Sequence, residues 1–121
     1  TKNVTFMNAE LTSEIAYNMP CYDLVSFLNV FHHIVHFKGF NEADKIMKCL
    51  YKKTNKYFIF ETGQYNEKGL YWSNDLSFMG DSPTQWVLEY LQMLGFSEVK
   101  MVSKFKTHLN SEERGFFICT K

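Results

Sequence analysis

The chain has 121 residues, the length of one domain able to bury roughly two-thirds of the surface its unfolded form would expose. Its 13 Lys and Arg balance 13 Asp and Glu, so the overall field favours no polyanion, which argues against nucleic acid as a partner. No apolar run approaches the roughly 18 residues of a membrane helix, which excludes a helical membrane span.

In chain order, Asn3-Val4-Thr5-Phe6-Met7 is short and partly β-branched and predicts a strand that ends at Asn8-Ala9-Glu10. A loop follows through Asn18, Met19 and Pro20. Residues 22–28 have the near-continuous apolar character of a strand covered on both faces, with Asn29 at its carboxyl end. After Gly39, helical spacing takes over: Ala43, Ile46, Met47 and Leu50 obey the i, i+3, i+4, i+7 rule, with Asn41 as the expected cap and an end near Thr54. A second apolar run, Tyr57-Phe58-Ile59-Phe60, stops at Glu61-Thr62-Gly63. Strand, helix, strand in that order predicts a right-handed crossover and a parallel pair.

Residues 64–82 carry no clear periodicity and are the candidate lid, since irregular segments of that length are usually functional or hide a short helix. Ser82-Pro83-Thr84-Gln85 reads as a capping box with proline at the first helical position. The helix it opens carries Val87, Tyr90, Leu91 and Leu94 on one face and ends at Gly95. Alternation at Val99, Met101, Ser103 and Phe105, a turn around Asn110 to Glu113, and the run Gly115 to Cys119 predict two strands in a terminal hairpin. Cys21, Cys49 and Cys119 are odd in number and widely spaced, which suits reduced thiols. Together with the absence of a leader sequence, this gives the expectation of a soluble, cytoplasmic protein; with Thr1 in place of an initiator methionine, it also gives that of a piece of a longer one.

Several of these segments, taken in order, resemble the class I (Rossmann-like) S-adenosylmethionine-dependent methyltransferases. Tyr22-Asp23-Leu24-Val25 through Asn29-Val30-Phe31-His32-His33 resembles the fourth strand and its following loop. Phe6-Met7-Asn8-Ala9-Glu10-Leu11 is similar to the segment whose polar residue meets the adenine, and Trp86 through Gly95-Phe96 resembles the late helix leading into the sixth strand. The resemblance covers the family fold from its third strand to its end, without the glycine-rich loop.

It implies an α/β fold, a truncated Rossmann-like three-layer sandwich with a mostly parallel sheet and a C-terminal antiparallel hairpin. All of residues 1–121 would form this partial domain. It also implies S-adenosylmethionine as cofactor, held in part by Asn8, Ala9, Asn29 and Phe31 and requiring the missing amino-terminal part. A small-molecule methyl acceptor would meet His32, His33 and Glu61 in catalytic roles, with Tyr65, Tyr71 and Trp72 as its binding surface. Open α/β sheets bind ligands beyond the carboxyl ends of their strands, which is where Asn8, Asn29 and Glu61 are expected. His32 and His36 on one helix face are the alternative, as metal ligands, but no carboxylate stands at helical spacing and no metal is expected. The competing reading is a noncatalytic methyltransferase-like module that associates, as a homo-oligomer, through an exposed sheet edge.

Overall fold

The computed structural model describes residues 4–121. In chain order it contains α1 (Ser13–Asn18), β1 (Tyr22–Leu28), α2 (Phe31–Lys38), α3 (Phe40–Lys53), β2 (Thr54–Glu61), a 3-10 segment (Ser73–Met79), α4 (Pro83–Leu94), β3 (Glu98–Lys106) and β4 (Glu113–Thr120).

The sheet order is β1-β2-β4-β3. β1 and β2 run parallel, with Phe27 opposite Phe60 and Leu28 opposite Glu61. β4 lies antiparallel between β2 and β3, with Phe60 opposite Phe117. The α/β expectation, the parallel pair and the terminal antiparallel hairpin are therefore all present. The strand expected over residues 3–7 is not: residues 4–7 carry no strand, and Asn3 lies outside the described residues. A strand exists only where a neighbour completes its ladder, and among the described residues β1 pairs with β2 alone.

Alternation sets the core. Val25 and Phe27 of β1, Phe58 and Phe60 of β2, and Phe117 and Cys119 of β4 are buried under α3 and α4. Phe27, Phe58 and Phe60 stack at ring-centroid distances of 6.1–6.3 Å, and Phe96 extends the row onto Phe58 at 5.5 Å. Each such side chain contributes about 1.5–3 kcal/mol by leaving water. From above, α3 supplies Ala43, Ile46, Met47 and Leu50, the residues its periodicity singled out. On the opposite face of the sheet Tyr22, Leu24 and Leu28 stay 47%, 55% and 41% exposed. The described residues thus supply the sheet and one helical layer of the sandwich.

Three local expectations change. Gly39, with φ of 90°, closes α2 and opens α3, so it takes the cap position expected of Asn41 and turns the chain where a side chain would be strained. Ser82 makes no side-chain cap bond, and the Gln85 amide donates to Glu89 instead of closing a box. Finally, α1 forms where only a loop was expected nearby; the Thr12 hydroxyl accepts from the Ile15 N–H, and Ala16 is buried.

Candidate functional site

The parallel pair brings the carboxyl ends of β1 and β2 to one rim, and because β4 runs the other way its first residues arrive at that same rim. Three side chains meet there. Arg114, 2% exposed, donates from Nη1 to Asn29 Oδ1 at 2.9 Å and to Glu61 Oε2 at 3.3 Å. Asn29, in the left-handed region at φ of 58°, also donates its backbone N–H to the Glu61 carbonyl at 3.2 Å. Asparagine tolerates that conformation better than most residues.

The rest of the guanidinium belongs to Glu67, which is fully buried. Nε reaches both its carboxylate oxygens at 3.0 and 3.1 Å and Nη2 reaches one at 2.9 Å. Glu67 further accepts from the Gln64 N–H at 2.6 Å and from Asn110 Nδ2 at 3.0 Å. Two buried carboxylates thus share one cation, and Glu61 has the longer, divided contact. Burial accordingly raises the Glu61 carboxyl above its ordinary range, against the opposing pull of Arg114.

These bonds also decide what residues 64–82 are. Glu67 is tied to β4, Gln64 donates to the Glu113 carbonyl at 3.0 Å, and Trp72 lies 2% exposed with the Arg114 guanidinium 5.7 Å from its ring centroid. The expected lid is a strap fastened over the rim by buried polar contacts.

The predicted residues sort by access. His32 is 1% exposed; its Nδ1 accepts the Gly63 N–H at 2.8 Å, with Thr62 Oγ1 3.2 Å away, and its ring packs on Trp72 at 4.3 Å. Burial first, then His33 and Arg114, push its pKa down to about 3. In this structure it is a neutral, buried support of the strap, bonded to Gly63. Gly63 is a glycine because a Cβ there would lie 2.6 Å from Trp72 and 2.8 Å from His32.

Phe31 is likewise fully buried, against Phe60, Trp86 and Tyr90, so it serves the core and offers no face to an adenine. Trp72 supports the site from inside, and Tyr65 is half-buried with the Lys68 ammonium 3.2 Å from its ring centroid. Tyr71 is open and His33 half-buried. The Tyr71 hydroxyl lies 3.2 Å from His33 Nδ1, and Tyr71 is 63% exposed. Burial, Arg114 and His36 hold the His33 pKa below its usual value. His36 turns to Asp75 rather than to His32, so the two do not make a ligand pair.

Asn8 and Ala9 are exposed, and no described contact carries them to the rim. The neighbouring Glu10 pairs with Lys38 at 3.3 Å, and Leu11 borders a shallow cavity of about 200 Å³ with Val30, His33 and Ile34. Sequence reasoning missed Arg114 and Glu67. The signal for Arg114 was present: a lone cation heading Gly115-Phe116-Phe117-Ile118 must find a carboxylate if that strand is buried.

No protein-family model and no curated protein sequence matches the chain. Solved structures do. A crystal structure of WbdD superposes with a TM-score of 0.68 and 26% identity over 88% of this chain and 22% of that one. A second WbdD structure, described as a bifunctional kinase-methyltransferase, gives 0.67, 25%, 88% and 22%. The magnesium protoporphyrin IX methyltransferase ChlM from Synechocystis PCC 6803, with bound SAH, gives 0.55 and 17% identity over 88% of this chain and 48% of that one. The chain thus spans about a fifth of WbdD and about half of ChlM. Its parallel pair, the antiparallel hairpin closing the sheet and these superpositions together show that the chain has a class I S-adenosylmethionine-dependent methyltransferase-like fold.

Proposed function

We propose that the chain is part of an S-adenosylmethionine-dependent methyltransferase acting on a small molecule, and that these 121 residues alone are inactive. The observation that carries the reading is the gathering of Asn29, Glu61, Arg114, His33 and Tyr71 around the carboxyl rim of the parallel pair, where such sheets take their ligands.

S-adenosylmethionine supplies a methyl group already activated by its sulfonium. The residues present fit part of its binding: Asn29 is exposed at the end of β1 and offers a polar side chain, whereas Phe31 is closed in the core. Asn8 and Ala9 remain available to an adenine only as an exposed segment. His33 serves as the base that takes the acceptor's proton. The lowered pKa keeps the ring neutral at pH 7, and in the tautomer whose Nδ1–H donates to the Tyr71 oxygen, Nε2 is the free basic nitrogen. Tyr71 gives the acceptor an exposed aromatic face. Glu61 works from behind the rim, as a positioning residue: its carbonyl and carboxylate hold Asn29 directly and through Arg114. Most of the rate advantage would come from in-line placement, which a rigid rim supplies.

The test is transfer of a labelled methyl group by the protein that contains this chain, across a panel of small acceptors. The expected result is transfer that falls at least tenfold in His33→Ala, within the usual contribution of a general base. Wild-type protein with no transfer to any acceptor would overturn the reading. Calorimetry of the 121-residue chain with S-adenosylhomocysteine should show no saturable heat; tight binding would contradict the claim of inactivity.

The apolar residues left open on β1 favour a second reading, a noncatalytic module that self-associates through its edge. A concentration-dependent dimer in sedimentation, with an inactive parent protein, would select it.

A further inference from the structure

The rim carries a specificity rule in the orientation of one amide. Asn29 has a carbonyl oxygen that only accepts and an NH2 that only donates, and which end faces a ligand depends on which end the protein holds. Arg114 holds it. A guanidinium has five donors and no acceptor, so the group 2.9 Å from Nη1 must be Oδ1. The opposite assignment would set two donors against each other inside a buried cluster.

Nor can Arg114 turn away to release the amide. Nε and Nη2 are fixed on Glu67, Nη1 is shared with Glu61, and the whole side chain is 2% exposed. The Asn29 backbone is pinned as well, by its N–H bond to the Glu61 carbonyl and by its left-handed φ. Asn29 itself is exposed, and among the described residues Nδ2 has no hydrogen-bond partner.

We propose that Arg114 acts as a specificity-determining residue, fixing Asn29 with its NH2 outward so that the rim recognises an oxygen of its ligand. Carboxylate, carbonyl and hydroxyl oxygens fit; an ammonium or amide NH2 brought to the same point meets a donor. The proposal rests on the methyltransferase reading only in naming the ligand as methyl acceptor or cofactor. The amide geometry itself does not depend on catalysis.

The probe is acetate, a minimal oxygen acceptor, added to the isotope-labelled 121-residue chain while the side-chain NH2 resonances of asparagine are followed by NMR. Asn41 and Asn74 are exposed and serve as internal controls for nonspecific effects. A saturable shift at Asn29, at least twofold larger than at Asn41 and Asn74, is expected, with no such difference for methylammonium chloride. Equal shifts at all three, or a larger response to methylammonium, would overturn the proposal. Arg114→Lys should abolish the difference by replacing the fork with a point charge; if that variant does not fold, the wild-type comparison still decides. In the parent protein, Asn29→Asp keeps an oxygen on Arg114 but removes the outward donor, and kcat/KM should fall at least tenfold. A parent protein without transfer activity would refute the methyltransferase reading and leave the acetate result to judge the amide.

Discussion

His32 and Arg114 are both buried polar side chains, and each makes a distinct prediction. The His32 pKa lies below its unfolded value because the charged ring would be desolvated beside Arg114. The unfolded chain therefore binds a proton below about pH 6.5 that the native state refuses until about pH 3, so stability is lost as pH falls through that window. The full loss is on the order of 5 kcal/mol. Glu61 has the opposite sign: its carboxyl is raised, so the native state takes up its proton first and acidification through the range just above the ordinary carboxylate value favours folding. Urea denaturation from pH 7 to pH 4 should show a falling stability that flattens in His32→Asn, whose oxygen can still accept from Gly63. An unchanged slope would mean that His32 protonates freely. Arg114→Met tests the other residue, since it leaves Glu61 and Glu67 buried without their shared cation. About 3–5 kcal/mol of stability should vanish in denaturant titration at pH 7, more than any surface ion pair contributes.

At the scale of elements, the two helix starts differ in a measurable way. Thr12 caps α1 through its hydroxyl, whereas Ser82 opens α4 with only its backbone carbonyl accepting the Trp86 N–H. Thr12→Ala should cost about 1 kcal/mol and Ser82→Ala less than about 0.5 kcal/mol, by thermal or urea unfolding. The contrast shows what could be read in advance. Strand and helix identities followed from apolar spacing, because burial of Val25, Phe27, Phe58, Phe60 and the α3 stripe is what the period records. Ser82-Pro83-Thr84-Gln85 gave the correct helix start through proline, yet the box did not form because Gln85 has Glu89 one turn ahead. The site was legible at Asn29 and Glu61, which end apolar runs, and illegible at Glu67 and Arg114. Those two are 47 residues apart and meet only because β4 inserts antiparallel beside β2, a pairing that no local pattern states. The burial of His32 and Phe31 was not legible, because sequence shows that a side chain follows a strand but not which way the helix after it turns.

At the scale of the whole chain, the described residues form a sheet with helices on one face, and that asymmetry governs its behaviour. Along β1, Phe27 points into the core at 6% exposure while its neighbours Leu24 and Leu28 remain open at 55% and 41%. The run reads in sequence as a strand covered on both faces, and in a complete three-layer fold it would be. In the described residues only one helical cover exists, so Leu24 and Leu28 keep about half of their surface in water and contribute little to the stability of this chain. Replacing both by lysine should therefore change its unfolding free energy by no more than about 0.5 kcal/mol each, as at surface positions. Phe27→Ala, one residue from Leu28, should cost about 3–5 kcal/mol. Urea denaturation of the 121-residue chain at two protein concentrations checks both. If the lysine pair unfolds the chain, these side chains support its own fold; if instead wild-type stability rises with concentration while the lysine variant's does not, the face is covered in solution by another copy. The noncatalytic reading would then gain the contact surface that it requires.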